Sequence, residues 1–145
     1  MIEYNEQFSC SGIDGIENNF FYNLENSEFD NTEWIFRIIA EDILNDNPFL
    51  FSVKEFDEGN AKVIMMNHHN NVDYIAKGIP EKIIEISAIK LNKSIHSSSN
   101  IAEYKIFDGE FRSLSADKVW ERLVNKNLAI YNTQTDIFTY KMAFS

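Results

Sequence analysis

The chain has 145 residues, near the commonest size of a single domain, and 44% of it is hydrophobic with twelve Phe, which excludes the disordered class and allows a real core. Twenty-three acidic side chains against 13 basic ones leave a formal charge of −10, a field that repels nucleic acid phosphates and anionic membranes and favours a basic partner. Five Gly, two Pro, no internal repeat and no low-complexity tract point to one continuous domain over residues 1–145.

The opening "MIEYNEQFSC" lacks the basic start and apolar run of a secretory signal, and the lone Cys10 has no partner for an internal disulfide. A cytoplasmic address is therefore expected, under which the glycosylation-like Asn92-Lys93-Ser94 has no meaning. No stretch approaches the roughly 18 uninterrupted apolar residues of a membrane span. Residues 1–30 mix turn formers with the aromatic cluster Phe20-Phe21-Tyr22 and read as an irregular or strand-containing start.

Asp30 and Glu33 form a capping pair, and Trp34, Ile35, Ile38, Ile39 and Ile43 then recur at helical spacing, so a first helix is expected up to Asn45–Pro48. Phe49, Phe51 and Val53 alternate with Leu50, Ser52 and Lys54; with "AKVIMMN" after the turn "DEGN" they read as a hairpin. A second helix runs from Pro80 to Leu91, its buried face made by Ile83, Ile84, Ser87, Ala88 and Leu91. "KSIHSS" is a short strand followed by a polar loop. Ser115 is the expected cap of a third helix that turns Val119, Trp120, Leu123 and Val124 inward and ends at Asn125–Asn127. "LAIYN" and "IFTYKMAF" close the chain as two strands joined by "TQTD".

From Phe49 onward the order is thus strand, strand, helix, strand, helix, strand, strand, an α/β pattern with mixed sheet connections. "KGIP", Lys77 to Pro80, stands between the second of these strands and its helix, and "ADKVWERLVNKNLAIY" places Ala116, Val119, Trp120, Leu123 and Leu128 on and after the later one. Over roughly residues 49–144 this resembles the GNAT acetyltransferase superfamily, whose central strand runs into a loop and helix that hold the acyl-CoA pyrophosphate on backbone N–H groups and the positive helix end. The resemblance implies a GNAT-like mixed central β-sheet flanked by helices in a single domain.

Three positions depart from the family pattern. Its Arg or Gln falls on Ile75, its final Gly on Pro80, which has no N–H to donate, and the tyrosine that protonates the leaving thiolate on Trp120. Where the family offers a Glu base this chain reads "MMNHHNNVD", so His68 or His69 is the candidate base. His68, His69, Asp73 and His96 follow no metal-ligand spacing, and no metal site is expected; nothing near Cys10 in sequence would activate it as a nucleophile.

Missing chemistry and negative charge together lead to the expectation of a non-catalytic GNAT-like binding protein without a cofactor. Such a protein would mask a basic partner, as an immunity protein masks a nuclease-type bacterial toxin, with Asp57, Glu58, Asp108, Glu110 and Asp117 as partner-binding acids. The alternative is an N-acyltransferase that binds acetyl-CoA through Lys77, Gly78 and Ile79 and uses His68 or His69 as base. A structural or assembly role for the same scaffold is a third class of reading. Arg112 and Arg122 are the basic residues nearest the third helix, with Arg122 expected to pair with nearby acids, and the Ser-rich run His96 to Asn100 reads as a strand end beside a cleft.

Overall fold

A computed structural model describes residues 3–40 and 47–141. Five strands, β1 (Glu6–Ser11), β2 (Glu17–Asn26), β3 (Glu33–Ala40), β4 (Phe49–Asp57) and β5 (Asn60–Asn67), form an antiparallel meander. Helix α1 (Ile79–Leu91) then crosses over to β6 (Ser94–His96), which lies parallel to β5. Helix α2 (Leu114–Asn125) follows, and the hairpin β7 (Ala129–Asn132) and β8 (Ile137–Tyr140) completes an eight-stranded mixed sheet in the order β1-β2-β3-β4-β5-β6-β8-β7. α1 touches β1 at one margin of the sheet and β6 and β8 toward the other, so the sheet curls around it. The result is a single-domain α/β fold, and no described helix is long and apolar enough to cross a membrane.

The expected first helix is a strand. Trp34, Ile35, Phe36, Ile38 and Ile39 are aromatic and β-branched and crowd both faces of any helix, so period alone does not distinguish the two states. Pairing decides: β3 is bonded on both sides, to β2 and to β4, with Phe36 opposite Leu24 and Phe51. Asp30 caps no helix. Its carboxylate accepts from the Thr32 N–H at 3.0 Å and pairs with Lys54 at 2.8 Å, closing the turn into β3. Ile43 and Asn45 lie outside the described residues.

One face of the meander carries an aromatic row, in the order Phe20, Phe8, Tyr22, Phe36 and Phe51, with successive ring centroids 5.6–6.0 Å apart. Ile79, Ile83, Ile84 and Ala88 of α1 and Val119, Trp120 and Leu123 of α2 complete the same core. α1 begins at Gly78, whose φ of 83° is the left-handed conformation that glycine adopts without strain, and Pro80 stands in its first turn. The cap of α2 is Ser113 and not Ser115: the Ser113 hydroxyl accepts from the Ala116 N–H at 3.1 Å.

Candidate functional site

A β-bulge interrupts β5. Val53 opposes Val63 while Ser52 opposes Met65, which leaves Ile64 as the extra residue and turns the strand. β5 and β6 consequently pair only over Asn60–Lys62 and Ser94–His96, and beyond Lys62 they part. The gap is a cleft of about 310 Å³ walled by Ile64, Met65 and Met66 on one side and Ser98, Phe111 and Trp120 on the other.

Among the described residues Arg112 is the one charged residue on this wall, and it is fully engaged. It donates to the carbonyls of Ser98 at 2.8 Å and Asp136 at 2.7 Å, to the Asp136 carboxylate at 2.6 Å and to Asp117, and it lies over the Phe138 ring. Burial works against its charge, but the Asp117 and Asp136 carboxylates more than offset it and hold the guanidinium pKa above its usual value. Among the described residues no Asp, Glu, His, Cys or Tyr lines the cleft, so it contains nothing that exchanges a proton near neutral pH. Trp120, on the same wall, is 1% exposed.

The Ser-rich run leaves the end of β6 beside the cleft, as expected, and is fastened to its neighbours. The Ser97 hydroxyl accepts from the Phe138 N–H, the Ser98 hydroxyl donates to the Val63 carbonyl, and the Ser99 hydroxyl donates to the Thr135 carbonyl, at 2.9, 3.0 and 2.7 Å. All three serines are buried. His96 is fixed between Thr139 and Asn60, both at 2.8 Å, and burial pushes its pKa down.

A second concavity, about 550 Å³, lies where the chain leaves β5 for α1, bounded by Ile13, Tyr74, Ile75 and Pro80 and by α2. His68 lines it, but its Nδ1 accepts from the Asn70 N–H at 2.9 Å, so in the neutral ring the base nitrogen is occupied. His69 is exposed, with Nδ1 against the Pro48 carbonyl at 2.9 Å, and does not reach either cleft. The loop itself is closed by the β1–β2 turn. A Cβ on Gly12 would overlap the Ala76 carbonyl oxygen, one on Gly78 would overlap that of Ser11, and the Cys10 thiol donates to the Lys77 carbonyl at 3.2 Å. Burial, helped by Glu81, pushes the Cys10 thiol up to about 11, far from nucleophile behaviour. Of the candidate cofactor residues, Lys77 is half-buried, Gly78 borders the concavity and Ile79 is buried in the core.

On the far wall of this concavity Arg122 pairs with an acid as expected, but its neighbours Lys118 and Lys126 were not singled out from the sequence. Lys118 and Arg122 project from successive turns of α2 and Lys126 from the residue that caps its end; Arg122 pairs with Glu81 at 2.6 Å, while Lys118 and Lys126 make no ion pair among the described residues. Their spacing of four was the available signal.

The five candidate acids do not share one surface. Glu110 is 5% exposed and buried against Lys62, so it is not offered to a partner, while Asp117 is partly exposed and tied to Arg112. Asp57 and Glu58 are exposed in the β4–β5 turn, where Asp57 accepts from Asn60 and Gly59. Asp108 is exposed within electrostatic reach of Lys54, which pairs with Asp30. Among the described residues no three His, Cys, Asp or Glu side chains gather as a metal set. The chain gives no significant match to any family model, curated protein or solved structure.

Proposed function

We propose that this chain is a GNAT-like module that binds a protein and does not transfer acyl groups, an acidic cytoplasmic protein that masks a basic partner in the manner of an immunity protein against a nuclease-type toxin. The observation that carries the reading is the chemistry of the β5–β6 cleft: a mixed lining of apolar and neutral polar side chains, one saturated guanidinium and, among the described residues, no carboxylate or imidazole. Support for the GNAT-like part comes from the element order after Phe49 and from the helical crossover between parallel β5 and β6. Support for the basic partner comes from the charge of −10, with Asp57 and Glu58 exposed in the β4–β5 turn and Asp108 exposed in the segment before α2. The test is co-expression with the product of the neighbouring reading frame. Rescue of growth and a nanomolar complex that salt weakens are expected; turnover of acetyl-CoA on an amine by the purified chain would overturn the reading.

One observation favours a second reading, acyl-CoA binding. The Lys118, Arg122 and Lys126 row faces the start of α1 across a concavity of a size usual for small ligands. Calorimetry with acetyl-CoA on the wild type and on Lys118→Glu with Lys126→Glu tests it: micromolar affinity lost in the double variant supports this reading, and no heat in either removes it.

A further inference from the structure

Among the described strands the sheet opens between β5 and β6. β5 is bonded to β4 almost along its length, yet on its other edge it meets β6 only as far as Lys62. From Val63 to Asn67 that edge is met, among the described residues, by a single group, the Ser98 hydroxyl on the Val63 carbonyl. Exposed strand edges are normally blunted by charge, by Pro or by a covering element. This one stands inside the sheet, where the Ser98 segment and the first turns of α2 wall it without pairing it. Its side chains are equally open: Ile64 is 37% exposed, Met65 42% and Phe111 67%. Methionine adapts its shape to irregular apolar partners, which suits a receiving surface.

Charge narrows the occupant. The cleft is electrically quiet, because its guanidinium is neutralised by Asp117 and Asp136, whereas the protein around it carries −10. A complementary segment is uncharged and apolar where it enters and cationic where it leaves. Unpaired backbone groups on a strand call for another backbone in extended form. We propose that the β5–β6 gap receives an extended segment of the partner protein, apolar at its centre and basic at its flanks, which adds to β5 as a strand along Ile64–Asn67. This rests on the reading of the chain as a protein-binding module, though not on the partner being a toxin.

The probe is a capped peptide of alternating Val and Ile between two pairs of Lys, titrated into ¹⁵N-labelled protein. A Kd below about 100 μM, with amide shifts centred on Ile64–Asn67, is expected. The same peptide N-methylated at alternate residues keeps its side chains but loses backbone donors, and should bind at least about tenfold more weakly. Ile64→Lys, at an exposed bulge, should weaken binding by a similar factor, whereas Lys118→Glu, in the other concavity, should not. Equal binding of the methylated peptide, shifts that map elsewhere, or no binding at all would overturn the proposal. So would acetyl-CoA, or a second copy of the chain, occupying the same amides in the peptide's place. Growth rescue by co-expression is independent of this titration, so the two readings fail separately.

Discussion

Lys62 and Glu110, 48 positions apart, meet at 2.7 Å with both side chains sealed from solvent. The Lys62 ammonium also donates to the Tyr104 carbonyl, and the Glu110 carboxylate accepts from the N–H groups of Ser99, Ile106 and Phe107. The pair fastens the segment between β6 and α2 over the sheet, and that segment includes Ser99, next to the wall of the β5–β6 gap. Burial alone would raise the Glu110 pKa; the ammonium and the three N–H groups outweigh it and lower it.

The two halves of this pair are not equivalent. Lys62→Met leaves a carboxylate that still has three backbone donors, whereas Glu110→Ala strands an ammonium and three N–H groups at once. Breaking a buried pair costs about 3–5 kcal/mol; Lys62→Met is expected near the lower bound and Glu110→Ala near the upper, measured by urea unfolding. The reverse order, or costs below about 1 kcal/mol for both, would mean that the segment is held by other contacts.

How far this was legible depended on whether the deciding partner was local. α1 could be read because Pro80 and the stripe Ile83, Ile84, Ser87 and Ala88 carry their own period. β3 could not, since its apolar residues suit either state until β2 and β4 supply hydrogen-bond partners. Glu110 looked like one more surface acid of the polar loop, and only the folding of that loop over β5 buries it. The cleft was indicated by the strand–helix–strand order, but its depth comes from the bulge at Ile64, for which the chain offers no Gly or Pro signal.

Gly12 and the Ala76–Gly78 loop approach so closely that no side chain fits between them. Gly12→Ala should therefore force the β1–β2 turn away from the start of α1, at a cost of about 1–3 kcal/mol, with faster hydrogen exchange at residues 76–79. Gly59, where a Cβ meets open space, is the control, and Gly59→Ala should stay within about 0.5 kcal/mol of the wild type. Equal effects at the two positions would remove the close approach as a cause.

His96 gives the fold an acid sensitivity with a definite sign. Burial, reinforced by Lys62, lowers its pKa below the ordinary 6.5, with Asp57 opposing in part. Nε2 donates to the Asn60 Oδ1 and Nδ1 faces the Thr139 hydroxyl, which can donate to the neutral ring, while burial disfavours a second proton on it. Below the ordinary pKa the unfolded chain binds a proton that the folded chain does not, so this contribution is complete above about pH 6.5 and is lost as pH falls, by at most about 1.4 kcal/mol per pH unit. Glu110, also lowered, adds its own loss only further down, once pH passes below the usual carboxylate range. Urea midpoints followed from pH 7 to pH 5 should therefore fall in the wild type and flatten in His96→Gln, which keeps a neutral donor and acceptor but does not titrate. An equal fall in both proteins would place the sensitivity on another group and leave His96 as a hydrogen-bonded tie between β6, β5 and β8.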